Sequence, residues 1–173
     1  MNISFRPIEL SDVPQIVRWL RDEDVARWWW DVAEKTDEDL TSEYSNKAHD
    51  PRTARYVITV DGAGIGIIQA AVLAIYPETA AEVGIPNAAG VDVYIGESEW
   101  RDRGVGTLAI RQFVNEIVFA IPGVEICTVD PEPENTRAIR AYEKAGFRYV
   151  RTYHSEDSGY DVYLMWQERA ATS

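Results

Sequence analysis

The chain has 173 residues, of which 46% are hydrophobic, and it carries a formal net charge of −12. This length and apolar content fit one folded domain and exclude a disordered chain. The acidic balance argues against a nucleic-acid partner, because a phosphate backbone requires a basic surface, and it favours a cationic one. The single cysteine, Cys127, excludes an internal disulfide and a cysteine-rich metal site, and we expect no metal.

The apolar patterning indicates neither a secretion signal nor a transmembrane segment. The first residues, Met1 to Arg6, lack the apolar run of a signal peptide. We therefore expect a cytoplasmic protein without a membrane partner, either a monomer or a homodimer.

Alternation and capping signals predict a strand and two helices in the N-terminal part. Residues 3–8 alternate like a strand, and Ser11 is a candidate N-cap for the helix that follows. Thr36 and Asp39 have the spacing of a capping box, which predicts a polar helix. Between the helices lies Trp28–Trp30, whose three rings point in different directions.

The middle of the chain predicts a hairpin and then a long loop. Arg55–Val60 and Ile65–Ile75 are rich in β-branched residues, and Asp61-Gly62 favours a tight turn between them. The stretch Tyr76–Ala89 contains two prolines and two glutamates, and we expect a loop whose length indicates a function.

A strand, a glycine-rich turn and a helix follow. Val91–Gly96 is β-branched and aromatic, whereas apolar residues recur at helical spacing after the turn. Gly104 and Gly106 let the backbone curl tightly and leave room for a ligand. The amides that open the helix have no partner within it, which predicts a pyrophosphate site. This site comprises Arg101, Arg103, Gly104, Val105, Gly106 and Thr107.

Two better-known glycine-rich loops do not fit this turn. No Lys-Ser or Lys-Thr pair follows the glycines, as a P-loop requires, and the spacing differs from G-x-G-x-x-G. Taken alone, the heptapeptide is also consistent with a tight connection that holds no ligand.

The last third predicts a strand at Val124–Val129, a helix over residues 135–147 and a hairpin of residues 149–154 and 160–166. The element order is then β, helices, an antiparallel meander and β-α-β-α-β-β. This order predicts an α/β (α+β) protein with a mixed sheet and helices on both faces.

Two ordered motifs resemble the acetyl-CoA site of the GCN5-related N-acetyltransferase (GNAT) superfamily. The first is Arg101-x-x-Gly104-x-Gly106 at the start of a helix. The second is Asn135-x-x-Ala138-x-x-x-Tyr142-x-x-x-Gly146-Phe147. The resemblance implies a GNAT fold in a single N-acetyltransferase domain over residues 1–173, a central sheet splayed between strands 4 and 5, and acetyl-CoA as co-substrate.

The resemblance also implies how the acyl donor is held. The backbone N–H groups of Val93, Tyr94 and Ile95 would stabilise the developing oxyanion. Asn135, together with Ala138, would bind the pantetheine arm, and Arg140 or Arg137 the adenosine 3′-phosphate.

Two side chains are candidates for proton transfer. Asp92 lies in an otherwise apolar strand, where an aspartate is disfavoured, and we expect it to accept the amine proton directly, through a water, or to hold the cation. Tyr142 lies two helical turns past Asn135 on the same face, and a tyrosine pKa of about 10 suits a proton donor to a thiolate. The structural alternatives are a solvent-facing Asp92 and a Tyr142 packed on the sheet.

The tryptophan-rich segment and the run Gly90-Val91-Asp92 are similar to those of aminoglycoside 6′-N-acetyltransferases. This similarity implies a polycationic small molecule whose primary amine accepts the acetyl group. The expected substrate contacts are a ring face of Trp29 or Trp30 and the carboxylates of Glu78, Glu82, Asp92, Asp130 and Asp157.

Two alternative functions stay open at this point. Enzymes that acylate hydroxylysine during siderophore assembly share the tryptophan-rich segment, and their substrate would require an arginine such as Arg52 or Arg55. A non-catalytic acyl-CoA-binding protein would have no use for both Asp92 and Tyr142.

Overall fold

Seven strands and six α-helices make up the described part of this computed structural model, residues 1–29 and 31–172. None of these helices is long and apolar enough to cross a membrane. In chain order the elements are β1 (Ile3–Pro7), α1 (Val13–Leu20), α2 (Glu23–Ala26), α3 (Asp37–Lys47), β2 (Ala54–Val60), β3 (Ala63–Val72), α4 (Pro77–Val83), β4 (Ala88–Ile95), α5 (Val105–Glu116), β5 (Ile126–Val129), α6 (Thr136–Ala145), β6 (Arg148–His154) and β7 (Asp161–Glu168).

The strands form one mixed sheet in the order β1-β2-β3-β4-β5-β7-β6. Strands β4 and β5 are parallel, and the pairs β1/β2, β5/β7 and β6/β7 are antiparallel. A parallel pair needs a crossover connection, and α5 lies in the segment that joins these two strands. The predicted α/β fold with a mixed sheet is confirmed.

The register of β4 and β5 agrees with the predicted divergence of these strands. Ala88–Gly90 pairs with Ile126–Thr128, and β4 then continues to Ile95 whereas β5 ends at Val129. Among the described residues, the register joins no part of β4 beyond Gly90 to β5.

The chain divides into two compact units, Met1–Gln69 with Val93–Gly106, and Ala70–Asp92 with Thr107–Ser173. The core of the first unit is built on α1, whose buried Ile16, Trp19 and Leu20 pack with Leu40 and Tyr94. In the second unit β7 is paired on both sides, with β5 and with β6, and its Leu164 is fully buried. The single domain expected from the sequence stays a prediction.

The polar helix predicted from Thr36 is confirmed, since Thr36 and Asp39 form the capping box that opens α3. The predicted N-cap at Ser11 is wrong. The Glu9 N–H donates instead to Asp12 Oδ2 at 2.8 Å, and Asp12 also binds the Arg6 guanidinium at 2.6 Å. A carboxylate that binds an amide and a guanidinium together is favoured over a neutral hydroxyl.

The loop predicted over Tyr76–Ala89 is also wrong, because its first half forms the helix α4. Pro77 lies at the start of this helix, where its missing N–H costs nothing and its fixed φ is helical. Gly84 ends it in the left-handed conformation, at φ 66°. Pro77, which the sequence analysis took as a loop signal, is therefore the start signal of a short helix, and Gly84 is its stop signal.

Candidate active site

Three of the predicted site residues lie together in the second unit: Asp92, Asp130 and Tyr142 interact electrostatically. The parallel register explains how the two carboxylates meet. Gly90 of β4 pairs with Thr128 of β5, so Asp92 and Asp130 each follow this pair at the same offset along neighbouring strands. Asp130 directly follows the end of β5, and Asp92 lies in β4 beyond the residues that pair with β5.

The Asp130 side chain is accessible to water, yet protein atoms surround its carboxyl group closely enough to desolvate it. Desolvation, followed by the negative charge of Asp92, raises the pKa of Asp130 to about 7. Two carboxyl groups that interact this strongly titrate as a pair. Near neutral pH the pair therefore has room for a proton while it keeps negative charge for a cation.

Tyr142 is buried in α6, and its ring meets the Phe147 ring edge-on at 5.7 Å between centroids. Desolvation chiefly raises the pKa of Tyr142 well above the ordinary value, and the charges of Asp92 and Asp130 raise it as well. The hydroxyl therefore stays protonated at every working pH and does not serve as a base, and its raised pKa makes it a weaker acid than the ordinary tyrosine that the sequence prediction assumed. The packing on Phe147 also fits the structural alternative for this tyrosine.

Tyr153, on β6, lies within electrostatic range of Asp130, a proximity that sequence reasoning missed. Its half-buried ring packs in an apolar cluster with Val83 and Leu164, and the Arg151 guanidinium lies 4.9 Å from the ring centroid. Desolvation and then the charge of Asp130 raise the pKa of Tyr153. Nothing in the alternation of β6 distinguishes this tyrosine from its neighbours, because its proximity to Asp130 depends on strand pairing.

Glu82 and Asp157, two predicted substrate carboxylates, bind the protein itself. Glu82 accepts hydrogen bonds from the Ser155 hydroxyl at 2.6 Å and from the Glu156 and Asp157 amides at 2.7 and 3.1 Å. The Thr79 hydroxyl donates to Asp157 at 2.7 Å. We call these bonds the hairpin clasp, since they join α4 to the tip of the β6–β7 hairpin.

The hairpin clasp gives Glu82 and Asp157 a structural role, and the substrate contacts predicted for them stay predictions. The helix α4 places Thr79 and Glu82 three residues apart on one face, where both meet the hairpin tip. The Ser155 hydroxyl chiefly lowers the pKa of Glu82, desolvation opposes this, and the two amides lower it further. Glu78, on the same helix, is exposed, and its substrate contact stays a prediction.

Replacing Glu82 by glutamine should loosen the hairpin tip. A neutral amide accepts fewer and weaker hydrogen bonds than a carboxylate, so the Glu156 and Asp157 amides should exchange with solvent about tenfold faster. Hydrogen exchange followed by NMR or mass spectrometry measures this, with Glu78→Gln as the matched control on the same helix. Unchanged exchange in Glu82→Gln would show that the clasp does not hold the tip in solution.

The turn before α5 has the geometry of an anion site. Asp102 and Gly104 adopt the left-handed region at φ 58° and 77°, and a Cβ at Gly104 would meet no atom within 4 Å. The left-handed backbone conformation at position 104 favours glycine, and the absence of a side chain leaves the turn open to a ligand. Helix α5 begins at Val105, so its first amides lie next to this exposed turn. An exposed, side-chain-poor helix start fits the diphosphate of an acyl-CoA.

The Arg101 side chain binds groups of the protein itself. Its guanidinium donates to the carbonyl oxygens of Ile95 and Gly96 and to the carboxylates of Asp22 and Asp24. These bonds compete with the predicted contact of this side chain with the bound anion, which stays a prediction. Sequence reasoning could not find these partners, because Asp22 and Asp24 lie almost eighty residues earlier in the chain.

Helix α6 begins at Asn135, whose Oδ1 accepts the Ala138 N–H at 3.2 Å. This cap leaves the Asn135 side-chain NH₂ to donate elsewhere, as the predicted pantetheine contact requires. Arg103 and Arg140 are exposed. Their contacts with phosphate, and those of the backbone at Val93–Ile95, stay predictions.

Trp29 packs within the first unit rather than presenting a free ring. Its Nε1 donates to the Tyr44 hydroxyl at 3.1 Å, and its ring meets the Tyr94 ring edge-on at 4.8 Å between centroids. Its polar atom is thus engaged within the protein, and the predicted stacking of Trp29 on a sugar stays a prediction. Trp30, the other tryptophan predicted to bind substrate, lies outside the described residues.

Comparison with known proteins agrees with this geometry. The family model of the acetyltransferase (GNAT) domain matches residues 9–154. Aminoglycoside N(6′)-acetyltransferase type 1 of Klebsiella pneumoniae is 31% identical, over 98% of this chain and 85% of its own length. A crystal structure of aminoglycoside acetyltransferase AAC(6′)-Ib with coenzyme A and kanamycin is similar at a TM-score of 0.81 and 26% identity, covering 97% of this chain and 95% of the other.

The spermidine N-acetyltransferase of Vibrio cholerae, solved with coenzyme A and spermine, shares the fold at a TM-score of 0.74 and 18% identity, over 96% of this chain and 95% of that one. Because the family model matches most of its length, this chain belongs to the GNAT acetyltransferase family, and it is an acetyltransferase. Within that family it is similar along almost its whole length to N(6′)-acetyltransferases of aminoglycosides.

Proposed function

We propose that this enzyme transfers the acetyl group of acetyl-CoA to the 6′-amine of an aminoglycoside, with both substrates bound at once. The observation that carries the proposal is the Asp92–Asp130 pair beside Tyr142, in a chain similar throughout to aminoglycoside N(6′)-acetyltransferases. A polycation suits an acidic protein and a site with two carboxylates. The relatives favour this function over a hydroxylysine acyltransferase and over a non-catalytic binding protein.

The residues that would bind the acyl donor lie in the turn before α5 and at the start of α6. The amides of Gly104, Val105, Gly106 and Thr107 would bind the diphosphate, and the Asn135 side-chain amide the pantetheine arm. Arg103 and either Arg140 or Arg137 would meet the remaining phosphates. When bound, acetyl-CoA supplies a thioester carbonyl that an amine can attack. We place the reaction in the cytosol, where acetyl-CoA is available.

The acceptor must lose a proton, because an ammonium group has no lone pair with which to attack. The Asp92–Asp130 pair can accept this proton, since the pKa of Asp130 is raised to about 7 by desolvation and by Asp92. The negative charge that remains on the pair holds the other cationic groups of the substrate. Asp92 would be the nearer carboxylate to the amine, as the family resemblance implies.

The departing sulfur needs a proton, and Tyr142 would donate it. Its hydroxyl stays protonated because desolvation and the two carboxylates raise the pKa of Tyr142. The backbone N–H groups of Val93–Ile95 would stabilise the negative charge on the carbonyl oxygen during attack. The products are an acetamide, coenzyme A with a free thiol, and one proton released to solvent.

Asp130→Asn should stabilise the protein in alkaline solution while weakening substrate binding. A pKa raised from 3.8 to about 7 by desolvation and by Asp92 means that ionised Asp130 costs stability, and this cost grows between the two pKa values and is complete above pH 7. The variant should melt about 2–4 °C higher than the parent at pH 8, and the difference should disappear at low pH. Its KM for kanamycin should no longer fall as the pH rises through 7.

Calorimetry and steady-state kinetics at pH 5.5 and pH 8 test both parts. Asp161→Asn is the control, because this exposed carboxylate binds His154 at the sheet edge and lies outside the proposed site. If Asp130→Asn has the same pH dependence of KM as the parent, then Asp130 does not bind the cationic substrate.

A thiol-release assay tests the proposed function itself. Purified enzyme with acetyl-CoA should release coenzyme A thiol when kanamycin or tobramycin is present and not in their absence. An N-hydroxylated lysine serves as the competing acceptor. Release with that acceptor alone would favour the siderophore acyltransferase, and the absence of release with every acceptor tested would favour the non-catalytic alternative.

A further inference from the structure

Arg101 is almost completely buried in the first unit, with 9% of its side chain exposed. Its Nε donates to the Ile95 carbonyl at 2.9 Å and its Nη2 to the Gly96 carbonyl at 2.7 Å, so the guanidinium grips the end of β4. Its Nη1 donates to Asp22 at 2.9 Å and to Asp24 at 3.2 Å. Four hydrogen bonds thus engage a side chain that has five N–H donors.

Asp22 is held in place as the counter-charge of Arg101. It lies between α1 and α2, and its Oδ1 also accepts the Asp24 N–H at 3.0 Å as the N-cap of α2. Desolvation opposes the ionised form, yet the bonds from Arg101 and from the helix amides lower the pKa of Asp22 below its usual value. The carboxylate is therefore ionised and oriented before any ligand binds.

The end of β4 is fixed from its other side by α1. A Cβ at Gly96 would overlap the ring of Trp19, so only glycine fits there. The Trp19 Nε1 and the Arg18 guanidinium both donate to Glu97, at 2.8 and 2.5 Å. Residues 95–97 are thus held on two sides, directly before the segment that leads into the turn.

From these contacts we infer that Arg101 and Asp22 form a lock that sets the position of the amide-bearing turn at Arg103–Gly106. Arg101 is a positioning residue, and it does not bind phosphate. If its guanidinium moved to an anion, the carbonyl oxygens of Ile95 and Gly96 and the carboxylate of Asp22 would lose their hydrogen-bond donor. Leaving such acceptors without a donor is costly. The inference deepens the proposed function, since it concerns the acyl-donor part of the same enzyme.

The variants Asp22→Asn and Arg101→Gln distinguish a lock from a phosphate contact. If the pair positions the turn, each variant should weaken coenzyme A binding about 10- to 100-fold, because a displacement of the amides lowers binding sharply. If Arg101 bound phosphate, Asp22→Asn would remove a competing anion and would leave binding unchanged or tighter. In a lock, the double variant should lose little more than the single variants, as members of one network do.

Isothermal titration calorimetry with coenzyme A gives these affinities, and melting temperatures show that each variant is folded. Arg6→Gln is the matched control, because it breaks another arginine–carboxylate pair of the same unit, with Asp12 at 2.6 Å. It should lower stability and leave coenzyme A binding unchanged. In turnover assays the Asp22 and Arg101 variants should raise KM for acetyl-CoA far more than KM for kanamycin.

Unchanged or tighter coenzyme A binding by Asp22→Asn overturns the inference, and so does an equal loss in Arg6→Gln. The proposed function fails differently, in the parent protein. A parent that binds coenzyme A but acetylates no aminoglycoside would refute the substrate assignment. The titrations of the parent and the variants with coenzyme A would still test the lock.

Discussion

Replacing Asp92 by asparagine should lower kcat/KM for kanamycin by about 10²- to 10⁴-fold while coenzyme A binding stays within about twofold of the parent. Asparagine keeps the size and planar shape of the side chain, but its neutral amide cannot accept the amine proton. It also removes the Asp92 charge, which helps to hold the cation and which, next to desolvation, raises the pKa of Asp130. Steady-state kinetics and calorimetric titration with coenzyme A provide the two numbers.

Asp161→Asn is the matched control for Asp92→Asn, because it makes the same substitution at an exposed strand position outside the site. It should leave both the turnover and the coenzyme A affinity unchanged. If Asp92→Asn instead weakens coenzyme A binding as much as it slows turnover, Asp92 supports the structure of β4 and is not the base.

Tyr142→Phe should lower kcat by about 10²-fold with little change in either KM. The phenyl ring fills the same buried space and keeps the edge contact with Phe147, so only the hydroxyl is lost. The parent hydroxyl stays protonated because desolvation and the carboxylates of Asp92 and Asp130 raise the pKa of Tyr142. The loss should therefore be of similar size across pH 6 to 9, which a pH–rate profile of both enzymes measures.

Tyr149→Phe is the control for Tyr142→Phe, because the exposed Tyr149 binds Thr152 through its hydroxyl and stacks on Tyr163 at the sheet edge. It should turn over like the parent. An unchanged kcat in Tyr142→Phe would leave this residue with its packing role alone, and the proton for the thiolate would have to come from elsewhere.

The features that local chemistry dictates could be predicted from the sequence. Gly104 with Gly106 marks the turn into α5, and Asn135 marks the start of α6, because helix ends depend on a few neighbouring residues. The ordered spacing of these two motifs also carried the family assignment. In α4 the local signals were present as well, but Pro77 and Gly84 were taken for loop residues.

The parts that depend on distant pairing could not be predicted. Asp92 was recognisable as an unusual residue in a strand, yet its partnership with Asp130 follows from the parallel register of β4 and β5. The bonds of Glu82 with the hairpin tip and of Arg101 with Asp22 join segments about seventy to eighty residues apart. A charged residue in a sequence shows that a charge is needed, and only the fold shows whether a ligand or the protein meets it.

The most direct test of the central claim is the position of the acetyl group in the product. Kanamycin acetylated by the enzyme with [¹³C]acetyl-CoA should show by NMR a single new amide at the 6′-nitrogen. Paromomycin, which carries a hydroxyl at the 6′-position, should yield no product under the same conditions. Acetylation of another kanamycin amine, or equal turnover of paromomycin, would contradict an active site in which Asp92 and Asp130 orient and deprotonate the 6′-amine.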